Sequence, residues 1–470
     1  MLHSAFAYGD TVGLIIGGSG IATPGPDYVD EANTLFIHPN FTDTAYPPPA
    51  PYTDGLTTPE GFYPETGIKT LPYNFPNGAS VYPDGQQTSV GQGAIILENA
   101  INSNAIAGNE STVFGYSQST TISTAVMQQL DPSGQPDTSL HAQFVLIADL
   151  NAPDGGLLSR FDLPGVPLQF PSLGLAFDGV TPADDFTTVI YTREWDGFAD
   201  FPRYPINLLA DFNAFAGIET LHGAYLQLSP EQIAPESATD PGGAIELPTS
   251  GATETTYYMI PTADLPLLDP IRAIAVIGNP VADLLQPDLT LLVNLGYDNP
   301  DPLEGWDAGP ANVHTTFALF PPLDQILDVL RLLPSQTLLG IHDFIDDFTG
   351  SGPNPVAVSL ASLPAMLTDR MSSGVTDPLT LLPSPADIPN LIGTSISSEA
   401  ATLYSVLLPT ADFVNAAVTV LPGYDASLFL DNLANPVDAV GLPLAADAGL
   451  LTLFAGFELE VVNATLNLGL

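Results

Sequence analysis

The residues whose types and order could support nucleophilic chemistry begin with the decapeptide Ser111–Thr120, which reads STVFGYSQST. Thr112, Val113 and Phe114 form a short β-prone run that stops at Gly115. From Gln118 to Leu130 the pattern changes to helix, with Ile122, Ala125, Val126 and Leu130 at helical spacing. Strand, Gly-x-Ser-x-small, helix is the pattern of a nucleophile elbow, in which a tight turn lifts a serine hydroxyl out of the sheet edge. Ser117 is the candidate nucleophile, and the Gln118 backbone N–H is expected to point where an oxyanion would form. The second glycine usual in such turns is Ser119 here, a residue still small enough for the close approach of helix and strand. The plain alternative is an ordinary strand-to-helix turn with a capping serine.

A nucleophilic serine needs a base and an orienting acid, and after an elbow of this kind they follow in the order Ser, Asp, His. His3 and His38 precede Ser117, and His141 precedes every good acid, which leaves His222, His314 and His342. A strand over Phe186–Thr192 is followed by REWDGFADFP, where Asp196 and Asp200 are both contenders for the acid. Asp196 stands at the strand end before a glycine and is the first choice; Asp200 is the alternative. A helix over Asn207–Ile218 then leads to TLHGAY, where His222 beside Gly223 in a loop could swing its ring between acid and serine. His314 and His342 read as packed or exposed imidazoles.

These residues need a scaffold. Thr11–Ile16 is an apolar run of strand length that closes on Gly17-Gly18-Ser19-Gly20. The spacing is neither G-x-G-x-x-G nor a phosphate loop with its lysine. An oxyanion loop fits better, giving a second N–H and the Ser19 hydroxyl. Residues 40–85 are crowded with Pro, Tyr and Gly and read as a long ordered surface loop. Gly85–Ile101 follows as a helix with Val90, Ala94, Leu97 and Ile101 on one face, and Ala142–Ala148 is another buried strand. Strands alternating with helices predict an α/β fold whose central sheet is mostly parallel and covered on both faces.

Composition narrows the function. The chain has 470 residues, 45% of them hydrophobic, enough for a large core. Its net charge of −46 comes from 53 acidic residues set against only 7 Lys and Arg, so the protein is base-starved rather than acid-rich. Nothing is available to neutralise nucleic-acid phosphates, and anionic membrane surfaces would repel it. With no cysteine, thiolate metal sites and disulfides are excluded. Asp298, Asp301, Glu304 and Asp307 make an oxygen-rich loop, but the spacing is not that of a calcium loop, and solvated turn carboxylates are expected; no metal or cofactor is called for. Residues 1–10 carry no signal peptide pattern, and the start almost directly on a strand suggests that a targeting segment precedes it. The apolar run Ala439–Val462 is broken by Asp447, Glu458 and Glu460, so no spanning helix is expected.

Several motifs in one order then make a resemblance specific. They are IGGSG at 16–20, TPEG at 58–61, GYSQS at 115–119, DGFADFP at 196–202, YPINLLAD at 204–211 and LHG at 221–223. YYMIPTADLPLL at 257–268, GNPVADLLQP at 278–287 and LLVNLG at 291–296 continue it. Across about residues 10–320 the chain resembles the PE-PPE-domain family, cutinase-like serine hydrolases of the α/β-hydrolase fold. The resemblance implies Ser117 as nucleophile, His222 as base and Asp196 as acid, and its own Gly-x-Ser-x-Ser variant accounts for Ser119. It implies a serine esterase acting on short to medium acyl or lipid esters, or alternatively a transacylase building cell-envelope glycolipids. A non-catalytic surface or lipid-binding protein on the same fold is the rival of another class. A monomer that is secreted or cell-envelope associated is expected. The helical PE or PPE module usual upstream is missing, and residues 321–470 lie beyond the resemblance. Their short apolar patterns, Leu323–Leu333, Val356–Leu367, Ala401–Leu408, Phe413–Leu421 and Leu450–Phe457, predict a mainly helical extension or cap packed on a hydrolase domain of residues 1–320, with its catalytic core at about 10–230 and an extension at 231–320.

Overall fold

In the computed structural model, residues 9–46, 48, 55–63, 66–67, 70–81, 85–132, 142–163, 168–170, 173–237, 242–349, 410–411 and 413–466 are described. His3, His141, parts of the Pro-rich stretch, and the patterns Val356–Leu367 and Ala401–Leu408 lie outside them. Strands β1 (Thr11–Ile15), β2 (Thr44–Ala45), β3 (Glu110–Tyr116), β4 (Ala142–Ile147), β7 (Thr188–Arg193), β8 (Ile245–Glu246) and β9 (Thr255–Ile260) form one sheet in the order β2-β1-β3-β4-β7-β9-β8. Only β8 runs antiparallel. A separate hairpin pairs β5 (Leu168–Phe170) with β6 (Leu175–Phe177).

Side chains alternate across the sheet, as the pleat requires. Leu14, Val113, Phe144 and Ile190 enter one core, while Ile15, Phe114, Val145 and Tyr191 enter the other. The first core is filled by α2 (Ser89–Ile106) and α3 (Gln118–Leu130), and the expected face Val90, Ala94, Leu97 and Ile101 is buried there. The second is filled by α1 (Pro26–Ala32) and the turn that continues it, through Val29, Ala32, Phe36 and Ile37. Strands apolar on both faces are what a covered parallel sheet demands. This is a sheet and layer arrangement of the α/β-hydrolase kind.

The register sets Ile15 beside Phe114, and Ile147 beside both Tyr116 and Tyr191. The carboxyl ends of β1, β3, β4 and β7 therefore lie nearly level. From β1 the chain crosses to β2 on one side, whereas β3 leads to β4 on the other. At such a reversal the outgoing loops separate and leave a crevice, the usual ligand position in open α/β sheets.

Three regions depart from the sequence reading. The motifs between 257 and 296, to which the sequence assigns no element, hold regular structure: β9 joins the sheet, and α5 (Gly278–Asn294) runs through Pro287. The Pro-rich stretch is not merely surface, because Leu56, Thr58, Glu60, Phe62 and Tyr73 are buried. The C-terminal patterns join into long helices, α6 (Leu323–Thr349) through Pro334 and α8 (Pro436–Leu466) through Pro443, with α7 (Leu421–Asp431) between. A helical proline costs one hydrogen bond and a bend, and packing of the surrounding face holds the helix through it. Pro436–Leu459 is long and apolar enough to cross a membrane by length and composition, at a mean hydropathy of 1.6, despite Asp447 and Glu458. Its inner face, including Ala445, Ala446, Leu450, Leu453, Phe454 and Phe457, lies in the first core.

Charge is handled by burial. Arg160 is fully buried, with Asp307 at 3.1 Å and Asp154 at 3.5 Å, and donates to the carbonyls of Phe201 and Thr315. Asp307 also accepts from the Asp298 N–H, and Asp298 pairs with Arg203 at 3.0 Å. Glu304 accepts from Asn299, and Asp301 from the Leu303 N–H. The oxygen-rich loop is thus partly buried and internally bonded, rather than simply solvated.

Other carboxyls are buried without a cation. Burial pushes Glu60 up to about 8 and Glu194 up to about 7, from an ordinary 4.5, and raises Asp211 well above its usual range. Because the folded chain holds these protons more tightly than the unfolded chain, stability falls as pH rises between about 4 and 8. Mutual repulsion within a −46 chain acts in the same direction. The melting temperature is expected to be higher at pH 5 than at pH 8.5 by differential scanning calorimetry. A melting temperature that rises over that interval would contradict this account.

Candidate active site

Strand β3 ends at Tyr116, and Ser117 follows with φ 57° and ψ −121°, a conformation that side-chain-bearing residues rarely adopt. Surrounding bonds hold it there. The Ser117 N–H donates to Ile147 O at 3.2 Å, and its carbonyl accepts from the Thr120 N–H and hydroxyl. Ser119 is fully buried; its hydroxyl accepts from the Tyr116 N–H at 2.7 Å and donates to Tyr116 O at 3.0 Å. The residue standing in place of a second glycine therefore closes the turn. Gly115 is required, since a Cβ there would come within 2.9 Å of Ser119 O.

Two loops complete the arrangement. His222 follows α4 (Leu208–Thr220) and opens a 3-10 turn, His222–Gln227, rather than sitting in an irregular loop. Its Nε2 lies 2.7 Å from Ser117 Oγ, and its Nδ1 lies 2.9 Å and 3.0 Å from the two Asp196 oxygens. Asp196, at the end of β7, is fully buried and also accepts from the Tyr225 hydroxyl at 2.8 Å and the Phe198 N–H at 3.1 Å. The Tyr116 hydroxyl donates to the His222 carbonyl, and the Phe198 ring meets the imidazole nearly edge-on at 4.6 Å. Arg193 donates to Leu221 O, tying the end of β7 to the residue before the histidine.

Asp200 is placed differently. Its carboxylate accepts from the Trp195 N–H at 2.9 Å, stabilising a Trp195 backbone at φ 65°. Burial raises this carboxyl well above its usual range, helped by Asp307 and Glu194 nearby. His314 bonds to Ser159 O, His342 is exposed beside Asp346 on α6, and His38 is exposed on a turn.

Ser19 and Gln118 meet through side chains. Gln118 Nε2 donates to Ser19 Oγ at 3.0 Å and to Gly61 O at 2.9 Å, and its Oε1 accepts from Ser89 Oγ at 2.6 Å. The Gly61 N–H donates to Ser89 Oγ, and the Gly20 N–H donates to Glu60 O. Gly18 packs so closely on the elbow that a Cβ would lie 3.2 Å from the Ser117 Cβ. Residue patterning could single out Gln118 and Ser19 but not Ser89, Gly61 or Glu60, whose part here depends wholly on tertiary contact. Tyr225 and Phe198 were likewise visible only as members of motifs.

Ser117 and His222 open into a cavity of about 430 Å³. Apart from Ser19 and Glu219 its walls are chiefly apolar, with Phe62, Tyr73, Leu157, Leu175, Phe198 and Ile218 prominent. A hydroxyl beside an imidazole acceptor, a buried acid behind the imidazole and an apolar cavity are together suited to acyl transfer.

The PE-PPE domain profile matches residues 49–298, just over half of the chain. PPE28 of Mycobacterium tuberculosis, a PPE family protein, is 40% identical over 468 residues, covering 97% of this chain and 66% of that protein. Esterase PE16 of the same organism is 37% identical over 365 residues, 76% of this chain and 61% of that protein. Diacyltrehalose acyltransferase Chp2, also from M. tuberculosis, is 26% identical over 238 residues, 50% of this chain and 62% of that protein. The chain thus spans about two thirds or less of the length of these relatives. No solved structure matches it. With an elbow, a following acid and histidine in that order, and a profile spanning the segment that holds them, the chain belongs to the PE-PPE domain family.

Proposed function

We propose that this protein is a serine ester hydrolase that works through an acyl-enzyme on Ser117. The observation that carries the reading is the continuous hydrogen-bonded path from Ser117 Oγ through His222 to the buried Asp196. His222 Nε2 takes the hydroxyl proton as Ser117 attacks an ester carbonyl, and later returns it to the leaving alcohol. Asp196 holds the proton on Nδ1 and stabilises the imidazolium that forms, with Tyr225 and Phe198 fixing its own position. The Gln118 N–H and the Gly18–Ser19 loop face the developing oxyanion. Water then releases the acyl group, and an alcohol entering in its place would make the same machinery a transacylase.

The apolar cavity supports acyl or lipid esters as substrates. Each described arginine is committed to the protein itself: Arg160, Arg203, Arg272 and Arg331 to carboxylates, and Arg193 to Leu221 O. The acyl part is therefore taken to be neutral, and nucleic acid is not a partner. Residues 1–320 form the catalytic unit in this reading, the described residues beyond them a helical region packed on it, and the protein acts outside the cell or in its envelope.

Three outcomes test it. Ser117→Ala should abolish hydrolysis of a p-nitrophenyl ester while circular dichroism and melting temperature stay nearly unchanged, since the hydroxyl has no packing role; turnover above a few per cent would remove Ser117 from the mechanism. Asp196→Asn should lower kcat by roughly 10³–10⁴-fold, because the imidazole loses the partner that sets its tautomer. Asp200→Asn should cost far less, since an amide oxygen can still accept from the Trp195 N–H and Asp200 does not touch the imidazole. Reversal of these two effects would make Asp200 the acid. Gln118→Ala keeps the backbone donor but releases the Ser19 loop, and a kcat loss on the order of 10–100-fold with KM nearly constant is expected. An unchanged kcat would show that the loop needs no such tether.

A further inference from the structure

Helix α8 lies outside the segment matched by the family profile, yet it packs behind several walls of the cavity. The Phe457 ring meets Phe62 at 6.2 Å, edge to face, and Phe198 at 6.2 Å, stacked. Both partners line the cavity, Phe198 being the ring that rests on His222. One turn earlier, Phe454 meets Phe170 at 4.5 Å, and Phe170 pairs in the β5–β6 hairpin with Leu175, another wall residue. Gly456 is pressed on α4, where a Cβ would come within 2.1 Å of the Phe215 ring; α4 also supplies the wall residues Ile218 and Glu219. Four separate chain segments that bound the cavity are therefore braced by one helix.

We propose that α8 sets the acyl-chain capacity of the site, with Phe457 as a specificity-determining residue. The proposal rests on the acyl-enzyme reading above. Phe457 does not itself line the cavity; it wedges between Phe62 and Phe198 from behind and is 3% exposed. Close-packed rings cannot yield to a longer chain while that wedge is in place. Removing the ring gives Phe62 and Phe198 room to retreat, and the cavity deepens in the direction away from Ser117. Long acyl chains gain burial from this, while short ones, which do not reach the wall, gain none. A helix serving stability alone predicts something different, a similar loss for every substrate.

The test is kcat/KM of the full chain on p-nitrophenyl esters from butyrate to laurate, for wild type, Phe457→Ala and Phe457→Leu. In Phe457→Ala the laurate-to-butyrate ratio should rise roughly tenfold, as expected when a hydrophobic site gains or loses space for a few methylenes. Phe457→Leu, which keeps most of the volume, should shift it in the same direction by less. A ratio unchanged within about twofold in a folded variant would overturn the proposal, whether or not overall rates fall. Failure of both variants to fold would assign the ring to stability and overturn it as well. Failure of the underlying reading shows separately, as wild-type turnover that survives Ser117→Ala.

Discussion

Ser117 is held in a backbone conformation that costs a residue with a side chain about 1–3 kcal/mol, and the surroundings are arranged to hold it there. Tyr116 immediately before it is bonded in the sheet, and the hydroxyl of Ser119 clamps that residue's N–H and carbonyl together. Gly115 permits an approach that a larger residue could not share without a shift of the backbone, and Gly18 one that a Cβ would crowd. The constraint delivers a hydroxyl at one defined point, and every other site residue is placed relative to it. A relaxed turn would leave the imidazole without its hydroxyl partner.

Sheet topology explains how distant segments converge on that point. The reversal of strand order between β1 and β3 opens the crevice, the near-level strand ends bring Gly18, Ser117 and Asp196 to its rim, and α4 returns the chain to deliver His222. Gln118 then joins two loops and the first turn of α2 through one side-chain amide, so the elbow and the glycine-rich loop opposite are fixed by the same residue. With so few cations, the fold relies on such neutral hydrogen-bond networks and on buried carboxyls whose hold on a proton is tightened by burial. Arg160 is the fully buried cation, and its bonds to Thr315 and Asp307 anchor the 298–317 segment to the core.

Much of this was legible in the sequence because the signals are local. The strand-turn-helix pattern marks Ser117; chain order leaves three histidines, among which the glycine beside His222 favours it; and the turn after a buried strand offers Asp196 ahead of Asp200. Strands β1, β3, β4 and β7 read correctly as apolar runs. What could not be read depends on contacts distant in the chain. Ser89 looks like a residue in the first turn of a helix, and Glu60 looks like a loop carboxylate until Gly20 and Gln118 are brought beside that turn. The long helices α6 and α8 were hidden by Pro334 and Pro443, since local propensity treats proline as a stop and tertiary packing does not. Short β2 and β8 are formed by pairing alone, with too few residues to carry a pattern.

The central claim is that the strained Ser117 hydroxyl is an activated nucleophile. Its most direct test is treatment of the full chain with a fluorophosphonate, followed by intact mass and peptide mapping. The account predicts one adduct per chain, located on Ser117. A folded protein that takes up no label, or carries it on another residue, would contradict it.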